Sequence, residues 1–66
     1  MQIHLNGEPG ALDAAQTITC LLLASGLSGR KVAVEVNGEV VPRSQHESHF
    51  LAEGDRIEII QAIGGG

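Results

Sequence analysis

A chain of 66 residues and 6.9 kDa has room for one small domain and no second core. Eight acidic residues against four basic ones leave a net charge of −4, and Phe50 is the only aromatic, which argues against a nucleic-acid binder built on basic patches and base-stacking rings. The lone Cys20 closes no intramolecular disulfide, no Cys/His spacing matches a structural zinc site, and the apolar run from Cys20 to Ala24 is far too short to span a bilayer. Stability must then come from an aliphatic core, for which 42% hydrophobic residues suffice. A single thiol with no secretory leader ahead of it suits a reducing cytoplasm, where the protein is expected to reside.

Met1 to Asn6 alternates with period two, which puts Met1, Ile3 and Leu5 on one face of a strand. Asn6-Gly7 follows, a strong hairpin signal because both residues tolerate positive φ. The return segment from Glu8 to Ala14 carries Pro9 and Gly10 and is expected at a sheet edge. Thr17 can cap a short helix in which Ile18, Leu21, Leu22 and Ser25 recur at i, i+3, i+4 and i+7, with Gly26 in the left-handed position that ends it. The capping box is incomplete, since Cys20 stands where Glu or Gln belongs. Val32 to Val36 reads as a strand with its three valines inward. Asn37-Gly38 repeats the turn chemistry before the short strand Glu39-Val40-Val41 and a break at Pro42. Arg43 to Phe50 is polar and irregular, Glu53-Gly54-Asp55-Arg56 has turn chemistry, and Arg56-Ile57-Glu58-Ile59 alternates again.

One short helix against four or five strands has an economical solution, an α+β fold in which the helix covers one face of a mixed sheet. This is the β-grasp, or ubiquitin-like, arrangement. It is expected over residues 1–63 as a single domain, with 64–66 as a flexible glycine tail.

Catalytic motifs are missing from the sequence: it holds neither a phosphate-binding loop nor a nucleophile elbow. Cys20 is read as a small buried hydrophobe rather than a reactive thiol, because cysteine is among the most buried residue types and no Lys or Arg lies near it in sequence. His46 and His49 have i, i+3 spacing with only Glu47 beside them, and are read as solvated loop histidines, not metal ligands. Asp13, Glu35, Glu39 and Glu58 read as outward charges that keep a small domain soluble. The protein is expected not to be an enzyme.

The end of the chain remains. Gln61-Ala62-Ile63-Gly64-Gly65-Gly66 places three residues without side chains after an apolar strand. Three extended residues reach roughly 10 Å, enough to carry a carboxylate into a partner's pocket. Glycines thread a narrow slot, and a terminal carboxylate is ionised near neutral pH. If Ile57 and Ile59 face inward, Ile60 faces outward beside Glu58 and Arg56 and, with Ala62 and Ile63, offers a surface on which a partner docks. A bulge at Ile60 is the alternative.

Across its whole length the chain resembles the bacterial sulfur carriers of thiamine biosynthesis, the ThiS family. The resemblance rests on Asn6-Gly7-Glu8, Thr17-Ile18 and Leu21-Leu22, the stretch Ala33-Val34-x-Val36-Asn37-Gly38-Glu39-x-Val41-Pro42-Arg43-Ser44, then Leu51-x-x-Gly54-Asp55-x-Ile57-x-Ile59 and the final Gly65-Gly66. One departure is Thr19-Cys20 at the helix start, where an acidic residue often follows the cap. The resemblance implies a cycle on the Gly66 carboxylate, with Gly64 and Gly65 as the threading residues. A ThiF-type adenylyltransferase uses Mg-ATP to adenylate Gly66, sulfur from a cysteine-derived persulfide replaces AMP to leave a thiocarboxylate, and a ThiG-type thiazole synthase takes that sulfur for the thiazole of thiamine. No cofactor is expected on the carrier itself. Three alternatives stay open: the small sulfur-donating subunit of molybdopterin synthase, an acidic β-grasp regulatory or RNA-associated binding domain, and a protein-conjugating modifier.

Overall fold

The computed structural model describes residues 1–13 and 15–61. The hairpin β1 (Gln2–Leu5) and β2 (Glu8–Ala11) comes first, then α1 (Ile18–Ala24), the hairpin β3 (Val32–Val36) and β4 (Glu39–Val41), a 3₁₀ turn at Arg43–Gln45, and β5 (Arg56–Gln61). The strands form one sheet in the order β2-β1-β5-β3-β4, with β5 parallel to β1 and antiparallel to β3. The last strand in sequence is therefore the central one in space. This is the β-grasp arrangement expected from the sequence, at the upper end of the four to five strands.

Local chemistry explains the elements. Asn6 and Gly7 take φ of 51° and 84°, and Asn37 and Gly38 take 54° and 87°, the paired left-handed conformation whose twist matches a two-residue hairpin. Pro9, which has no N–H to give, sits on the edge strand β2. Thr17 caps α1 with its hydroxyl oxygen accepting the Cys20 N–H at 3.2 Å, and Gly26 ends the helix at φ 74°.

The inner face of the sheet and one stripe of the helix close on a single core of Ile3, Ile18, Leu21, Leu22, Val34, Val36, Val41, Leu51 and Ile57. Ile18, Val34 and Ile57 are essentially sealed from solvent. Burying a side chain of this size contributes about 1.5–3 kcal/mol.

Two expectations are corrected here. Cys20 is exposed, not buried. It lies two residues from Ile18, about 200° around the helix, while Ile18, Leu21 and Leu22 hold the stripe that faces the sheet. Helix phase outweighed the general tendency of cysteine to be buried. His46 is not a solvated loop residue either: it is 6% exposed, and its ring Nε2–H donates to the Val41 carbonyl at 3.0 Å.

The physical reason is that residues 42–51 form a strap rather than a free loop. After the 3₁₀ turn the His46 ring folds back under β4, and the strap supplies acceptors to the start of α1. The Thr19 N–H donates to the His46 carbonyl at 3.1 Å, and the Ile18 N–H donates to the His49 carbonyl at 3.2 Å. Leu51, 2% exposed, anchors the far end and donates its N–H to the Gln16 carbonyl at 2.8 Å. Together with Thr17, the strap satisfies the N–H groups of residues 18, 19 and 20 that a helix start leaves open.

Candidate functional site

The sheet has two faces, and α1 joins the core on only one of them. On the other, strand register brings Ala33 opposite Ile60, Glu35 opposite Glu58 and Glu35 opposite Val40. Ile60 is 52% exposed and Val40 64%. Ile57 is buried and Ile59 half-buried, while Arg56, Glu58 and Ile60 are exposed, and the pairing of β5 with β3 runs unbroken from Ile57 to Gln61. The bulge alternative is thereby ruled out, and Ile60 stands outward as the alternation requires.

The resulting patch has a defined character. The Ala33–Ile60 pair and Val40 give apolar contact area, and between them lies a Glu35–Glu58 pair of like charge. Like charges opposite one another on a sheet are mildly destabilising, by a few tenths of a kcal/mol up to about 1. Of the other expected acidic positions, Asp13 and Glu39 are exposed. Asp55 is a structural group: its carboxylate accepts the Ala52 N–H at 2.8 Å and an Asn37 Nδ2–H at 3.0 Å, as the Gly54-Asp55 turn chemistry suggests.

The candidate docking residues Ala62 and Ile63, and the tail residues Gly64, Gly65 and Gly66, lie outside the described residues. The structure therefore places Ile60 and the strand that leads to the tail. Among the described residues no group of three His, Cys, Asp or Glu side chains converges as metal ligands, and no helix is long and apolar enough to cross a membrane.

Sequence reading missed the second role of Asn6 and Asn37. Beyond forming their turns, both reach β5: Asn6 Oδ1 accepts the Ile59 N–H at 2.8 Å, and Asn37 Oδ1 accepts the Arg56 N–H at 2.9 Å. Asn rather than Asp or Ser before Gly was a signal for the turn, but nothing local pointed to a bond 53 residues away.

A five-stranded β-grasp sheet with one helix packed on one of its faces defines the class: a ubiquitin-like protein. The family model described as the ThiS family matches residues 3–66, and the chain belongs to that family. It is 35% identical to the sulfur carrier protein ThiS of Escherichia coli, with all of both chains aligned. A crystal structure of the thiamine biosynthesis protein ThiS from Geobacter metallireducens superposes with a TM-score of 0.86 at 33% identity, again over 100% of both chains. The chain is also 47% identical to part of a thiazole synthase of Magnetococcus marinus, where it spans 20% of that longer protein. These similarities run to the thiamine carriers, the first of the readings the sequence left open.

Proposed function

We propose that this protein carries sulfur for the thiazole ring of thiamine on the carboxylate of Gly66. The observation that carries the reading is the full-length similarity to a curated sulfur carrier, extending through the glycine end. In the cycle, a ThiF-type adenylyltransferase binds Mg-ATP, the Gly66 carboxylate attacks the α-phosphate, and pyrophosphate leaves. A cysteine-derived persulfide on a sulfur-donating partner attacks the resulting acyl-adenylate and expels AMP. A further thiol cleaves the acyl disulfide, leaving the thiocarboxylate on Gly66 and a disulfide on the donor. A ThiG-type thiazole synthase then receives the sulfur. The occurrence of this domain within thiazole synthases supports that last partnership. The chain contributes no catalytic side chain to this cycle; it supplies the carboxylate, the Gly64 and Gly65 thread, and a docking face centred on Ile60 with Ala62 and Ile63.

The test is intact-mass measurement after incubation with the adenylyltransferase, Mg-ATP and a sulfur source. Exchange of one oxygen for sulfur adds about 16 Da, far less than an adenylate adds. An unchanged mass under conditions that convert an authentic carrier overturns the reading.

The docking face makes its own prediction. Ile60→Asp places a third carboxylate beside Glu58 and Glu35 and removes the apolar contact. Being exposed, the site is expected to lose less than about 1 kcal/mol of stability. Affinity for the adenylyltransferase, measured by calorimetry, is expected to fall on the order of tenfold or more. Unaltered affinity would remove Ile60 from the interface.

A further inference from the structure

β5 is held from both sides by the same device. On the β3 side the Asn37 N–H donates to the Arg56 carbonyl at 2.7 Å, and Asn37 Oδ1 accepts the Arg56 N–H at 2.9 Å, so a side-chain oxygen completes what would be a reciprocal backbone pair. On the β1 side the parallel ladder runs from the His4 N–H to the Asp55 carbonyl and from the Asn6 N–H to the Ile57 carbonyl, each at 2.9 Å. The next donor on this side of β5 is Ile59. By then β1 has ended at Leu5 and the backbone has swung into the left-handed Asn6-Gly7 turn. Asn6 Oδ1 takes the vacant acceptor position at 2.8 Å.

We propose that the Asn6 side chain is a positioning residue for the carrier tail, fixing the direction in which β5 delivers the residues beyond Gln61. The inference rests on the sulfur-carrier reading of Gly66. Toward its C-terminal end β5 keeps its backbone ladder with β3 as far as Val32–Gln61. Among the described residues, the Asn6 bond is the last that the β1 side contributes. Without it, Ile59 to Gln61 are fastened along one edge only, and a strand fastened along one edge is free to twist away from its sheet. Asn37 does equivalent work at the opposite end of β5, remote from the tail, and its Nδ2–H also donates to Asp55, so its removal is a control that deletes more bonds than the loss of Asn6 does. Residue type follows from the double demand: φ of 51° admits Gly, Asn or Asp, and of these only Asn and Asp supply an acceptor.

The test compares full-length Asn6→Gly, Asn37→Gly and Asn6→Asp with the wild type. Each Gly variant keeps its turn and deletes one acceptor to β5, whereas Asn6→Asp retains both turn and acceptor. In amide exchange followed by NMR, Asn6→Gly is expected to speed exchange at Ile59 and at its β3-bonded neighbour Ile60 on the order of tenfold, and Asn37→Gly to act at Arg56 instead. In adenylation by the ThiF-type enzyme, Asn6→Gly is expected to lower kcat on the order of tenfold with a smaller change in KM, because a displaced nucleophile reacts poorly once bound. Asn37→Gly should stay within about twofold of wild type, and Asn6→Asp should restore the rate. Equal losses in the two Gly variants, or an Asn6→Gly variant of full activity, overturn the proposal. A wild type that is itself not adenylated overturns the carrier reading, a result distinguishable from failure of the Asn6 inference alone.

Discussion

Adding one residue after Gly66 is expected to abolish activation by the adenylyltransferase. Attack on the α-phosphate of ATP requires an ionised carboxylate in line with the leaving pyrophosphate, so the carrier contributes placement more than reactivity. One extra residue moves that carboxylate about 3.5 Å along the slot, and an error of 1 Å already costs on the order of 100-fold. Gly65→Val attacks the same step differently. Its branched side chain widens a thread made only of backbone and restricts the φ values available to it. Both changes follow the last residue of β5 in sequence and replace none of the nine core side chains named above, so thermal unfolding is expected to match the wild type. ATP–pyrophosphate exchange gives the rate and circular dichroism the fold. A tagged protein that accepts AMP at the wild-type rate is the result that would sink the carrier reading of Gly66.

The second large effect concerns the core. Ile57→Ala is expected to destabilise the protein by about 2–5 kcal/mol, the range for removing a buried aliphatic side chain that leaves a cavity. Total stability at this size is roughly 3–10 kcal/mol, so the variant falls near the threshold of folding. Ile57 is 1% exposed and sits in the central strand, opposite Leu5 of β1 and Val36 of β3. Few neighbours can move to fill a hole there, because the strands on both sides are held by their ladders. At about 4–8 °C per kcal/mol for a domain this small, the midpoint should drop by at least about 8 °C. Ile60→Ala, on the opposite face of the same strand, is expected to change stability within about 0.5 kcal/mol. The contrast between two isoleucines three residues apart is the measurement, and similar midpoints for both would mean that β5 has the wrong register.

Much of this architecture was legible in the sequence because it depends on local periodicity and backbone chemistry. Alternation in 1–6, 32–36 and 56–59 marks strands, Asn-Gly twice marks tight hairpins, and Thr17 and Gly26 bracket a helix. Each signal is carried by residues that are neighbours along the chain. The outward placement of Ile60 was legible for the same reason, since side chains alternate across a strand. The glycine end is plain as residue types, and the placement of residues 64–66 lies outside the described residues. Cys20 was misread as buried, although the helix phase of Ile18, Leu21 and Leu22 already excluded it from the core.

What the tertiary structure alone decided are the contacts between segments far apart in sequence. His46 carries no local mark of burial; it is buried because the strap of residues 42–51 wraps the start of α1 and brings its ring under the Val41 carbonyl. Glu35 and Glu58 read as unrelated surface charges until β5 inserts between β1 and β3 and sets them opposite one another. Asn6 and Asn37 announced their turns, yet their side-chain bonds to β5 depend on a strand that arrives 53 and 19 residues later. Turn preference is a property of one residue's φ and ψ, whereas an acceptor is needed only where two strands end out of step, and that mismatch exists only once the sheet has formed.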